Sequence, residues 1–255
     1  MMQPNRIVDN RRVRAAVEAF AAQPDQRTSL DVLRSCLFDD LLMDITGSQL
    51  TMTEDGQVAP GSTIAFSGGR GPDDRGALFA FTSQREIERM HPPGTQTRSL
   101  AQPAAAVLAQ ALGNENTGWL YIDPAGPTCA IARSEIEFAL GFPCNDAVRR
   151  ALEPGVARDA LIAALRSEAK LVMGLDAEAN PERPMPRLTR APDGGTALIV
   201  GTSSIEIIAA HPHDGVVITS TSELPEQLDK RGWSGLLINP AGPWAYVPLT
   251  ELRAT

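Results

Sequence analysis

The sequence predicts an α/β (α+β) protein of two similar domains. Each is expected to be a mixed β-sheet flanked by helices, and the two are related by internal duplication. Three observations carry this. First, Ile122-Asp123-Pro124-Ala125-Gly126-Pro127 returns as Ile238-Asn239-Pro240-Ala241-Gly242-Pro243, each time closing a hydrophobic run. Second, Pro72-Asp73, Ala77-Leu78, Thr82-Ser83, Glu86-Ile87 and His91-Pro92 recur 120 positions on, as Pro192-Asp193, Ala197-Leu198, Thr202-Ser203, Glu206-Ile207 and His211-Pro212. Third, helical and strand periodicities alternate along each half, the pattern of a sheet covered by helices.

The elements follow in order. Val13, Ala16, Val17 and Phe20 have helical spacing over Arg11 to Ala22, and Pro24 stops the helix. A second helix starts near Thr28 or Ser29, with Leu30, Leu33 and Leu37 on one face. Leu41 to Thr46 reads as a strand, paired as a hairpin with the alternating Gln49 to Thr53. Glu54 to Gly61 is a polar loop, Ser62 to Ser67 a strand candidate and Gly68 to Gly76 a turn-rich loop. Ala77 to Phe81 is a strand. The following helix opens with a Ser83/Glu86 capping box and ends at His91-Pro92-Pro93.

Thr95 to Leu100 is a strand. Pro103 and Gly113 bracket a helix over Ala104 to Leu112. Gly118 to Asp123 and Thr128 to Ala132 flank the first turn, and Ser134/Glu137 box a short helix. Gly141 to Asn145 is the boundary, giving domains over 11–141 and 145–255. The PAGP turns match at an offset of 116, and Leu33-Arg34-Ser35 matches Leu165-Arg166-Ser167 at 132. The first copy therefore carries an insertion near 50–70. Residues 1–10 read as a loose tail.

Composition narrows the function. Hydrophobic residues are 43% and charged residues 21% of the 255, ordinary for a globular chain. The net charge of −8 argues against nucleic acid and anionic membranes, which need a basic footprint. Arg6, Arg11, Arg12 and Arg14 form one basic cluster, read as a solvated helix face. Cys36, Cys129 and Cys144 have neither disulfide nor zinc spacing, which fits a reducing compartment. No apolar run is long enough to span a membrane, and the first residues lack the apolar stretch expected of a secretory signal. A cytoplasmic protein is expected.

The pattern of apolar strand, Thr-Ser, Glu-containing helix, strand, helix, apolar strand and Asn-Pro-x-Gly-Pro resembles the SseB N-terminal domain family. It stands at Ala77–Pro127 and again at Ala197–Pro243. The family label is shared with enhanced-serine-sensitivity proteins and with a type III secretion component. The resemblance implies tandem copies, no catalytic residue, and an accessory or partner-binding role. Asp123 stands where the pattern has Asn, so any role of that amide is absent from the first copy.

No nucleophile, metal or phosphate-loop signature occurs. No cofactor, metal or catalytic group is therefore assigned. His91 and His211 end equivalent helices, where a cation favours the dipole, and no Ser, Cys or Asp recurs beside both. Turn chemistry accounts for every residue type in the PAGP segments. The same segments, with the tryptophans near them, are the candidate partner or ligand surface: Asp123, Pro124, Gly126, Asn239, Pro240, Gly242, Trp233 and Trp244. The expected function is a non-enzymatic adaptor that engages a protein partner through the inter-domain cleft or the surface around the turns. The alternative is a sensor holding a polar metabolite between the domains, and a third is an enzyme without a recognisable motif.

Overall fold

The computed structural model describes residues 8–253 apart from 52, 54, 56–58, 168, 177–181 and 183. The expected tail over 1–10 lies mostly outside these residues, as do Arg6 and much of the 54–61 loop. The chain divides into two units, residues 1–137 and 138–255.

The first unit runs α1 (Arg11–Ala22), α2 (Gln26–Ser35), β1 (Asp40–Asp44), β2 (Gly68–Arg70), β3 (Gly76–Ala80), α3 (Gln84–Met90), β4 (Ser99–Pro103), α4 (Ala104–Leu112), β5 (Thr117–Ile122), β6 (Cys129–Ala132) and the start of α5 (Arg133–Leu140). Its four-stranded sheet has the order β2-β3-β5-β6. Only β3 and β5 are parallel there. β1 and β4 pair antiparallel and join β3 through a bridge at Leu42 and Phe81, whose two N–H···O bonds are each 2.9 Å.

The alternation along β5 is strict. Gly118, Leu120 and Ile122 are buried, while Trp119 and Tyr121 between them are half-exposed, as a two-residue period requires. α1 turns Val13 and Val17, one helical turn apart, into the interior. Phe81, Ile87, Leu108, Leu120, Ile122 and Ile131 are fully buried. Each such side chain contributes about 1.5–3 kcal/mol by leaving water.

The second unit continues with α6 (Asp146–Ala151), α7 (Arg158–Arg166), β7 (Lys170–Asp176), β8 (Met185–Pro186), β9 (Leu188–Arg190), β10 (Thr196–Gly201), α8 (Ser204–Ala210), β11 (Gly215–Ser220), α9 (Leu224–Arg231), β12 (Gly235–Ile238), β13 (Ala245–Pro248) and α10 (Leu249–Arg253). Its sheet order is β11-β7-β10-β12-β13, with β8 on β7 and β9 on β10. Only β10 and β12 are parallel. With the Leu42–Phe81 bridge counted, the first unit has the matching order β4-β1-β3-β5-β6. A core of Leu165, Leu171, Leu198, Leu228, Leu236 and Val247 packs α7 and α9 on this sheet. The mixed α/β class read from the sequence is the class of both units.

Several expectations are corrected. β1 pairs with β4; among the described residues of 49–53 none pairs with β1, and Gln49 bridges Thr63. Ser62–Ser67 forms no named strand, and β2 arises instead inside the glycine-rich loop. Its glycines are there for contact: a Cβ on Gly68 would lie 2.5 Å from the Ala77 carbonyl oxygen, and one on Gly69 2.7 Å from the Phe79 ring. α2 begins at Gln26 because Asp25 caps it, in a reciprocal box with Thr28. β4 sits four residues later than expected. Pro103 ends it without a donor, as an edge position allows.

The two expected boxes in the first unit are absent. Ser83 is the N-cap of α3 but makes no side-chain cap bond, and Glu86 takes Arg89 instead. At α5 it is Glu135, not Glu137, that turns back, accepting from the Ala132 N–H at 2.7 Å. A Ser83→Ala variant should therefore lose only a few tenths of a kcal/mol in a denaturant melt, where a bonded cap would cost about 1 kcal/mol.

Candidate functional site

In each unit the carboxyl ends of the parallel strands meet in the same buried lock. Asp123, the residue after β5, donates its N–H to the Ala80 carbonyl at 3.0 Å and turns the chain with φ of 53°. Gly126 closes that turn by donating to the Asp123 carbonyl at 3.1 Å. The Asp123 carboxylate accepts from the Thr82 N–H at 2.9 Å and from the Thr82 hydroxyl at 2.7 Å. Thr82 in turn accepts, through its carbonyl, the Asn10 N–H at 2.8 Å. Asn10 caps α1, its side-chain oxygen accepting from the Val13 N–H at 3.0 Å. Three segments distant in sequence are thus tied at one point.

The second unit repeats this with an amide. Asn239 has φ of 52°, and its N–H reaches the Val200 carbonyl at 2.9 Å. Its Oδ1 accepts from the Thr202 N–H at 2.8 Å, and its Nδ2 donates to the Thr202 hydroxyl at 3.0 Å. Asn145 donates to the Thr202 carbonyl at 2.8 Å and caps α6 through the Val148 N–H. A short polar side chain at φ > 0 is what Asn and Asp supply.

The side chains of Asp123 and Asn239 therefore face inward, 2% and 0% exposed, and hold the turns from beneath. Pro124, Gly126, Pro240 and Gly242 are half-buried and form the turn surfaces. Trp233 is half-buried against the core of its unit, with the Arg231 guanidinium 5.1 Å from its ring centroid. Trp244 is different. It directly follows the second turn and is 60% exposed, the most exposed of the large apolar side chains described.

A polar pocket of about 450 Å³ opens beside the first lock, within the first unit. α1 supplies Arg14, Val17 and Glu18; α3 and its cap supply Ser83, Arg85, Glu86 and Arg89; the turn supplies Asp123 and Pro127. Crevices at the carboxyl ends of parallel strands are common binding places in α/β sheets. Arg14 is engaged by Asp9 and donates from Nε to the Thr82 hydroxyl at 3.2 Å. Arg89 Nη1 lies 3.0 Å from Glu86 Oε2. Gly126 makes room for that pair: a Cβ there would stand 2.8 Å from Arg89 Nη1 and 3.3 Å from Glu86 Oε2.

Burial pushes the Asp123 carboxyl up to about 6, and the nearby Glu86 charge adds to this, against the lowering effect of the Thr82 hydrogen bonds and Arg14. Elsewhere in the unit, His91 Nε2 sits 2.8 Å from Asp44 Oδ2, a partner 47 residues away that no local pattern reveals. Burial works to raise the Asp44 carboxyl, but the Thr46 hydroxyl and N–H, together with His91, hold it below the usual range.

Sequence reasoning missed Asn10, Arg14, Glu86 and Arg89 as members of one site. A signal existed: Asn10, Val13, Arg14 and Ala16 recur as Asn145, Val148, Arg149 and Ala151 at an offset of 135. Among the described residues no group of three or more His, Cys, Asp or Glu is placed to hold a metal ion. No helix among them is long and apolar enough to cross a membrane.

Residues 13–137 match the SseB protein N-terminal domain. The SseB match takes in every residue lining the pocket and the whole first lock except the Asn10 cap. No curated protein and no solved structure matches the chain.

Proposed function

We propose that this chain is a non-enzymatic, cytoplasmic partner-binding protein built from two SseB-type units, the second a diverged tandem copy of the first. The tandem reading rests on the shared strand order and on the Thr82–Asp123 and Thr202–Asn239 locks at equivalent places. The partner-binding reading rests on Trp244. An indole left 60% in water, on a turn fixed from below by Asn239, is an anchor ready for an apolar pocket on another protein. Pro240, Gly242 and Pro243 flank it and hold the backbone that presents it.

Trp244→Ala is expected to leave unfolding free energy within about 0.5 kcal/mol of the parent, because the side chain is mostly solvated. The same variant should lose a partner that the parent retains as a purified complex. Equal retention of that partner by both proteins would sink the reading.

The pocket of the first unit favours a second reading, a receptor for a polar metabolite. A saturable rise in melting temperature with one compound of a metabolite set would support it.

A further inference from the structure

We propose that β11 is an interface, pairing antiparallel with β11 of a second copy of this chain. It is the outermost strand of its sheet and is bonded to β7 on one side. The register decides which of its backbone groups face outward. Thr221, one step past the strand, donates its N–H to the Ala169 carbonyl at 2.9 Å, and on β7 the Gly174 carbonyl turns the other way, to the Arg187 N–H. Antiparallel alternation then gives Gly215, Val217 and Thr219 to β7 and turns the N–H and C=O of Val216, Ile218 and Ser220 outward. The Ser220 carbonyl accepts from the Glu223 N–H at 3.2 Å. Among the described residues no hydrogen bond reaches the outward groups of Val216 and Ile218. Apolar side chains stand beside them: Val217 is 39% and Ile218 44% exposed, on opposite faces of the strand.

Sheet edges are ordinarily guarded by proline, charge or a covering segment. β4, at the same place in the order of the first unit, reads Ser-Leu-Ala-Gln-Pro and ends at Pro103. The far edge of the second sheet is guarded as well: β13 ends at Pro248, and its Tyr246 carbonyl accepts from Arg158 Nη2 at 2.6 Å. β11 reads Gly-Val-Val-Ile-Thr-Ser, with no proline and no charge.

The occupant follows from symmetry. A two-fold axis through Val217 sets that residue against its own copy and sets Val216 against Ile218 of the second copy. Each Val216–Ile218 pair exchanges both its hydrogen bonds, so the outward groups of both strands are met. No charge meets its like, because the strand carries none and the neighbouring Asp214 is buried on Arg187. One open edge in this sheet closes the pairing at two copies. Six residues a side bury less than the roughly 1,600 Å² of a standard interface, so a weak, micromolar dimer is expected.

Sedimentation equilibrium of the full chain, from micromolar to millimolar concentration, tests this. Expected is a reversible monomer–dimer equilibrium, weakened at least tenfold in Ile218→Lys, whose melting should stay near the parent's because the position is solvated. A second measurement uses a Cys144→Ser background. Val217→Cys should form a covalent dimer in oxidised glutathione, since facing residues of a non-hydrogen-bonded pair stand about 4.5 Å apart at Cα. Leu188→Cys, on β9 and 38% exposed, should not.

A monomer at every concentration would overturn the proposal and leave the edge to a strand of another protein. A dimer equally strong in Ile218→Lys, or covalent dimers of Leu188→Cys in place of Val217→Cys, would overturn it too. Trp244 precedes β13, at the opposite edge of the sheet, so Trp244→Ala is expected to dimerise as the parent does. The dimer and the Trp244 surface therefore fail separately.

Discussion

Asp123→Asn should make the protein more stable at neutral pH. The Asp123 carboxyl is raised from 3.8 to about 6, so above pH 6 the folded state holds a charge that burial disfavours. The sign follows from proton counting. Between pH 6 and 4 the folded protein takes up a proton that the unfolded chain does not, so this residue's contribution improves as the pH falls and is lost as it rises through 6. A shift of roughly two units corresponds to about 3 kcal/mol at pH 7. Asparagine removes that cost and keeps the Thr82 N–H contact, while the short hydroxyl bond to a charged acceptor becomes a weaker neutral one. The expected net gain is about 1–3 kcal/mol at pH 7, vanishing near pH 4. Urea unfolding of parent and variant at pH 4.5, 5.5, 6.5 and 7.5 measures it as a difference, so carboxylates common to both cancel. A variant less stable than the parent at pH 7 would show that the charge is better compensated than its surroundings indicate.

Asn239→Ala should be among the most damaging single changes in the second unit. It strands the buried Thr202 N–H, at a cost of about 1–3 kcal/mol, and removes the amide bond to the Thr202 hydroxyl. It also leaves an alanine at φ of 52°, worth about 1–2 kcal/mol more. A loss of about 3–5 kcal/mol is expected by denaturant melt. Asn239→Asp should be milder, and should acquire the pH dependence described for Asp123, with stability rising as the pH falls. If Asn239→Ala melts within 0.5 kcal/mol of the parent, the lock does not hold the turn.

Much of the fold was legible because its signals are local. The hydrophobic run ahead of the repeated turn marked β5, helical spacing of Val13 and Val17 marked α1, and Pro103 with Gly113 bracketed α4. The missing parts depend on what lies across the sheet. β2 is written in glycines because the Ala77 carbonyl and the Phe79 ring press against it, and a window on the sequence sees only a turn-rich loop. β1 finds its partner at Ser99–Pro103, over fifty residues on, so nearby alternation suggested a hairpin that none of the described residues forms. The site was half legible. The repeated turns pointed to Asp123 and Asn239, but not to side chains facing inward, since that depends on Thr82 and Thr202 standing at the ends of parallel neighbours. Arg14, Glu86 and Arg89 carried no motif, because ordinary charged helix residues become a pocket only when α1 and α3 approach the same strand ends.

The unequal spacing of strands in the two units has a consequence for how such a unit can grow. The stretch from β1 to β2 is roughly twice as long as that from β7 to β9, yet the sheets keep one order. Closing a connection costs entropy that rises only with the logarithm of its length, about 0.6 kcal/mol per doubling. That is small beside the burial of one leucine. The connection leaving the second strand from the edge is therefore a permissive place, where added sequence is nearly neutral for folding while the ends stay pinned by the sheet.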